Sequence, residues 1–140
     1  MEIQFFEEDI SYSLENPSLI IDWLNKIAQK HQVQIRSLNY IFCSDQYLLE
    51  INREYLNHDY YTDIITFDNS EASNEIEGDI FVSIDRIEDN AASHGTIFQE
   101  ELHRVIAHGL LHLLGYMDKT AAEKKLMREK EEACLSLLKT

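Results

Sequence analysis

The sequence predicts an α+β domain: a small mixed β-sheet of about four strands packed by helices, followed by a helical C-terminal half. Three observations predict it. Runs rich in β-branched and aromatic residues recur up to Ile84, stretches with helical periodicity alternate with them, and beyond Ile84 no strand pattern returns. The length is that of one domain, 1–140. With 44% hydrophobic and 27% charged residues, one proline and four glycines, the composition excludes fibrous, repeat and low-complexity classes.

The elements follow in order. Glu2 to Phe6 reads as a strand. Asn16 and Pro17 have the form of an N-cap and first helical position, and Ile20, Ile21, Leu24, Ile27 and Ala28 then recur at helical spacing to about Lys30. Gln34 to Cys43 alternates Ile35, Leu38, Tyr40 and Phe42 imperfectly but is rich in strand formers. Ser44 or Asp45 can cap a second helix with Leu48, Leu49, Ile51 and Leu56 on its apolar face. TDIITF, Thr62 to Phe67, and DIFVSI, Asp79 to Ile84, are the clearest strands, and polar Asp68 to Gly78 reads as a long, mobile hairpin connection or an edge segment. Asp85 to Ser93 predicts a short helix. Thr96 with Gln99 predicts a capping box opening a longer helix, which runs to Leu114 and stops at Gly115. A final helix, Thr120 to Leu138, turns Leu126, Met127, Cys134, Leu135 and Leu138 to the core.

Charge and apolar patterning narrow the function classes. The longest apolar stretch is interrupted by histidines and falls short of the roughly 20 residues a bilayer span needs. The acidic start MEIQFFEEDI lacks the pattern of an export signal, so the expected location is cytoplasmic, with Cys43 and Cys134 as reduced core residues. Twelve basic against twenty-six acidic residues leave a net charge of −14, a field that repels a phosphate backbone. Lys119, Lys124, Lys125, Arg128 and Lys130 form the one locally basic segment, open to two readings: a solvated helix face or a nucleic-acid contact.

The stretch that carries chemistry is HGLLHLLGYMD, His108 to Asp118. On a helix, His108 and His112 stand one turn apart on nearly the same side, the spacing at which two imidazoles bind one ion. Their neighbours are apolar all round, and burying two rings side by side costs free energy unless both are satisfied, which a shared metal would do. Gly115 lets the chain turn, and Asp118 can then return a carboxylate. Two nitrogens and one oxygen with room for water is the composition of a catalytic zinc site. His31, His58, His94 and His103 read as surface or internally satisfied residues. The general-base glutamate of H-E-x-x-H is replaced by Gly109. Arg104, one turn before His108, reads either as a clamp for an anionic oxygen or as the ion-pair partner of Glu100 or Glu101.

HGLLHLLGYMD, preceded by TDIITF and GDIF in that order, resembles the YbeY family of bacterial metal-dependent endoribonucleases, also described as rRNA maturation factors; the agreement spans Ile51 to Asp118. The resemblance implies a metzincin-like zinc hydrolase core, a mixed sheet of about four strands and one Zn2+ per chain held by His108, His112 and Asp118. It also implies single-strand RNA cleavage at the 3′ end of the 16S rRNA precursor, a part in ribosome quality control, and contacts with the ribosome or ribosomal proteins. Arg104, His108 and His112 are then the catalytic candidates, and Arg104, Lys119 and Lys124 the RNA-binding ones. Two departures stand out: Asp118 takes the place of the usual third histidine, and Leu56 follows Tyr55 where an arginine is common. The alternatives are a metzincin-like peptidase, disfavoured by Gly109, and a non-catalytic ribosome assembly factor with a structural metal, which an acidic surface suits.

Overall fold

The computed structural model describes residues 2–139, excepting the side chain of Lys139. The elements are β1 (Glu2–Glu7), α1 (Pro17–Lys30), β2 (Gln34–Cys43), α2 (Asp45–Leu56), β3 (Ile64–Asp68), β4 (Glu75–Ser83), α3 (Ile84–His94), α4 (Phe98–Leu113) and α5 (Ala121–Lys139). This is the expected α+β order, and the sheet is mixed: strand order β1-β2-β4-β3, with β1, β2 and β4 mutually parallel and β3 an antiparallel edge.

The burial pattern explains the order. In β4 the side chains of Ile76, Ile80 and Val82 face one way and pack with Leu38, Tyr40 and Phe42 of β2 against α1, α4 and α5. Phe81 points to the other face, where Cys43, Leu48 and Ile65 form a second cluster under α2. The alternation in β2 looks imperfect in sequence because the register shifts between Ile35 and Ser37, a bulge that puts Ile35 and Leu38 on the same face despite their odd spacing. The buried Tyr40 hydroxyl donates to the Ile106 carbonyl (2.7 Å) and the Trp23 indole N–H to that of Cys134 (2.7 Å), which ties both α4 and α5 to this side of the sheet.

Several local expectations are corrected. The connection is shorter than the expected Asp68–Gly78: β3 reaches Asp68 and β4 starts at Glu75, because Ile76 and Gly78 complete the inward alternation of a strand whose outward residues are acidic, and only 69–74 lie between the strands. Asn16 precedes α1 with φ 51° and makes no side-chain cap. The Thr96–Gln99 capping box does not form either: α4 is entered from Ile97, and the buried Thr96 hydroxyl finds no partner. Ser44 does cap α2, accepting from the Tyr47 N–H at 3.1 Å. On α5, Met127, Glu131, Cys134 and Leu135 are buried while Leu126 is exposed, since it lies about 100° round the helix from Met127.

Candidate metal centre

Close packing fixes where α4 can lie. A Cβ at Gly109 would sit 2.9 Å from Ile80 Cδ1 and 3.0 Å from Ile64 Cδ1, and one at Gly78 would sit 2.8 Å from the Phe67 carbonyl oxygen and 2.9 Å from Leu113 Cδ1. Both glycines therefore let the helix settle onto β3 and β4. Gly109 faces the sheet, so the position that holds the base in a metalloprotease is a packing position here. Beyond Leu113 the helix closes in a Schellman motif: the Gly115 N–H donates to the His112 carbonyl (3.0 Å) and the Tyr116 N–H to that of Leu111 (3.1 Å), with Gly115 at φ 106°. That reversal carries Asp118 back over the helix end.

His108, His112 and Asp118 meet there. Their ligand atoms all lie within 4.8 Å of one another, and among the described residues they are the group able to hold a metal ion. The Asp118 Oδ2 atom is 3.2 Å from His108 Nε2 and 3.4 Å from His112 Nε2, and the two rings stand 4.5 Å apart. The other ring nitrogens decide the chemistry. His112 Nδ1 lies 3.0 Å from the Tyr116 carbonyl oxygen, which only accepts, and His108 Nδ1 lies 2.6 Å from Glu131 Oε2. Each neutral imidazole must therefore carry its proton on Nδ1 and turn the Nε2 lone pair toward Asp118. Two lone pairs and a carboxylate oxygen converge with no donor among them, an arrangement that a cation resolves. The donor set fits zinc, with a carboxylate and a backbone carbonyl orienting the two histidines from behind.

Charges around the centre shift its titration. Burial alone would lower the His108 pKa, yet the Glu131 carboxylate, with Asp118 and Asp63 near it, outweighs burial and leaves it raised. His112 is lowered, by burial and then by its neighbour His108. Burial raises the Asp63 carboxyl, an effect that His108 opposes and Glu101 and Glu131 reinforce.

The centre forms the floor of an open cleft of about 750 Å3, whose lining includes Asn52, Tyr60, Asp63, His108, His112 and Lys119. Lys119 thus lines the same cleft, whereas Lys124 is exposed on α5 and is not among the lining residues. The ion-pair partners of Arg104 differ from the expected Glu100 or Glu101: its side chain is 16% exposed and bound to Glu131 (3.1 Å) and Glu132 (2.7 Å), across on α5 rather than on its own helix. In this arrangement Arg104 braces the Glu131 carboxylate that faces His108 Nδ1. Leu56 lines the cleft, and Arg53 is held by Asp59 at 2.5 Å. His31 is satisfied by the Ile27 carbonyl and the Tyr116 hydroxyl, and His94 faces Glu101.

Glu131 and Asp63 are the residues that sequence reasoning misses. Glu131 stands on the buried face of α5, four residues after Met127 and three before Cys134, and a charged residue at a core position was the available signal. Asp63 lies in the TDIITF run, hidden by reading that run only as a strand.

Comparisons with known proteins give the family and the fold. The family model described as Endoribonuclease YbeY matches residues 2–139. A protein from Cytophaga hutchinsonii with that name is 61% identical, over 98% of this chain and 96% of its own. One from Flavobacterium johnsoniae is 48% identical, over 94% of each. The solution structure of a Thermotoga maritima protein superposes with a TM-score of 0.66 at 27% identity, covering 98% of this chain and 89% of that one. A match running through all nine elements, the His108–His112 helix included, has one meaning: the chain belongs to the YbeY endoribonuclease family.

Proposed function

We propose that this chain, a single domain over 1–140, is a zinc-dependent single-strand endoribonuclease with one ion per chain, held by His108, His112 and Asp118. The observation that carries the reading is the convergence of three electron-pair donors, two of them imidazoles whose opposite nitrogens are already hydrogen-bonded. The bound ion would supply Lewis acidity and an activated water at neutral pH. The chain's own residues do the rest. Glu131 and the Tyr116 carbonyl hold the two imidazoles in the ligating tautomer. Lys119 brings a positive charge to the cleft wall, suited to a phosphodiester oxygen. Asp63 is a cleft carboxyl whose pKa burial raises, which suits it to hold or pass on a proton beside the centre.

The RNA substrate follows from the family name; the 3′ end of the 16S rRNA precursor, ribosome quality control, ribosomal contacts and a cytoplasmic setting complete the reading. No helix among the described residues is long and apolar enough to cross a membrane. The helix-borne histidines and returning third ligand support a metzincin-like hydrolase core, but the sheet contact of Gly109 removes the peptidase base. A purely structural metal is disfavoured because the hydrophobic core is complete beside the centre and Asp118 is 39% exposed. The test is cleavage of a labelled single-stranded RNA alongside metal analysis: His112→Ala loses both zinc and cleavage, while cleavage persisting in a metal-free preparation contradicts the proposal.

A further inference from the structure

The cleft is poorly equipped to grip a phosphate backbone. Asp63, Asp68 and Asp118 line it against one ammonium, that of Lys119, and the whole chain carries −14. Within the cleft, counterion release can supply little of the attraction to RNA. The exposed apolar surface points to another source. Of the nine large hydrophobic side chains exposed among the described residues, Tyr55, Leu56, Tyr60 and Tyr61 fall in one seven-residue segment, and Met117 joins Leu56 and Tyr60 in the cleft lining.

Within that segment the aromatic rings are not equivalent. Tyr61 is engaged by the Arg86 guanidinium, 5.5 Å from its centroid, and Tyr55 packs edge-on against Phe67. Tyr60 is 55% exposed at the cleft and lies nearly parallel to the His58 ring, centroids 5.2 Å apart and planes 21° apart. Its hydroxyl and His58 Nδ1 are 3.0 Å apart, and its backbone carbonyl accepts from the buried Asn52 side chain at 2.9 Å. A pinned, flat, half-exposed aromatic pair at the mouth of a hydrolytic cleft is built to receive another flat ring.

We propose that Tyr60, backed by His58, is a stacking platform for an unpaired nucleobase of single-stranded RNA, and that base stacking rather than phosphate pairing supplies most of the affinity of the cleft. The proposal rests on the RNA reading above. It explains why an acidic protein can bind RNA and why the strand must be single: a paired base has no free face to offer. Stacking on an aromatic side chain is sequence-tolerant, so the platform selects strandedness more than sequence.

The test uses the full chain in chelator, so that RNA binds without being cut, and a short single-stranded RNA carrying 2-aminopurine as its reporter base. Tyr60→Ala should weaken binding roughly five- to a hundredfold and relieve the fluorescence quenching of the base, whereas Tyr60→Phe stays close to wild type. An RNA abasic at the stacked position should bind the wild type as weakly as Tyr60→Ala binds the complete strand, with no further loss when the two are combined, an arm that does not depend on the variant folding. Affinity equal in Tyr60→Ala, or in the abasic strand, overturns the platform. Cleavage by the zinc-loaded wild type is followed in parallel: cleavage with indifferent Tyr60 variants refutes the platform alone, while absence of both binding and cleavage refutes the nuclease reading and the platform with it.

Discussion

Replacing Glu131 tests the centre from behind. Its side chain is 8% exposed, and its two oxygens serve different partners, His108 Nδ1 at 2.6 Å and the Arg104 guanidinium at 3.1 Å. In Glu131→Gln the amide oxygen can still accept from Nδ1–H but the charge is lost; in Glu131→Ala the acceptor is lost as well. Removing such an outer carboxylate typically costs 10- to 100-fold in metal affinity. The alanine variant should lie near the upper end, because a free imidazole can turn or change tautomer, and the glutamine variant near the lower. Fold stability should also fall in Glu131→Ala, by about 1–3 kcal/mol, less than the 3–5 kcal/mol of a fully orphaned buried charge because Arg104 keeps Glu132 at 2.7 Å. The assay is competition of zinc against a chromophoric chelator, with thermal unfolding of the metal-free proteins run beside it. Zinc affinity unchanged in Glu131→Ala, in a protein that still folds, would refute the claim that Glu131 orients His108.

Three other outcomes are expected. Asp63→Asn should stabilise the metal-free protein at neutral pH: a carboxyl whose folded pKa is raised costs stability once ionised, so the gain fades as pH falls through its titration, and thermal melts from pH 4 to 8 check it. Gly78→Ala forces a methyl against the Phe67 carbonyl and Leu113, for a loss of about 2 kcal/mol and roughly 6–8 °C in Tm by calorimetry; a neutral result would mean that α4 does not approach the sheet as described. Apparent zinc affinity should fall with acidification, starting at a higher pH than an isolated histidine would give, since the raised His108 pKa lets protons compete early; a zinc titration series from pH 5 to 8 measures it.

What the sequence could and could not reveal divides along physical lines. Elements governed by local patterning were legible: α1 from its apolar spacing, α2 from Ser44, and the end of α4 from Gly115, whose positive φ the Schellman turn requires. The grouping of His108, His112 and Asp118 was legible because two of them share a helix face and the third follows within six residues. What depended on tertiary partners was not. Arg104 finds its acids on α5, 27 and 28 residues away, so a reading of local i,i+3 and i,i+4 pairs looked on the wrong helix. The acidic run before Gly78 concealed a strand, because Glu75 and Glu77 occupy the face opposite the core and the inward Ile76 was too short a signal by itself. The cap of α4 failed for a related reason: Thr96 is drawn to the preceding helix end, where its N–H bonds to the Ala91 carbonyl and its hydroxyl is buried.

On the proposed function, two imidazoles and the Asp118 carboxylate hold one cation in the cleft. Crystals of the zinc-loaded protein, measured on both sides of the zinc absorption edge, would locate it. A single anomalous peak is expected about 2.0–2.2 Å from His108 Nε2, His112 Nε2 and an Asp118 oxygen. A peak elsewhere, or one bound by the histidines while Asp118 points into solvent, would contradict it.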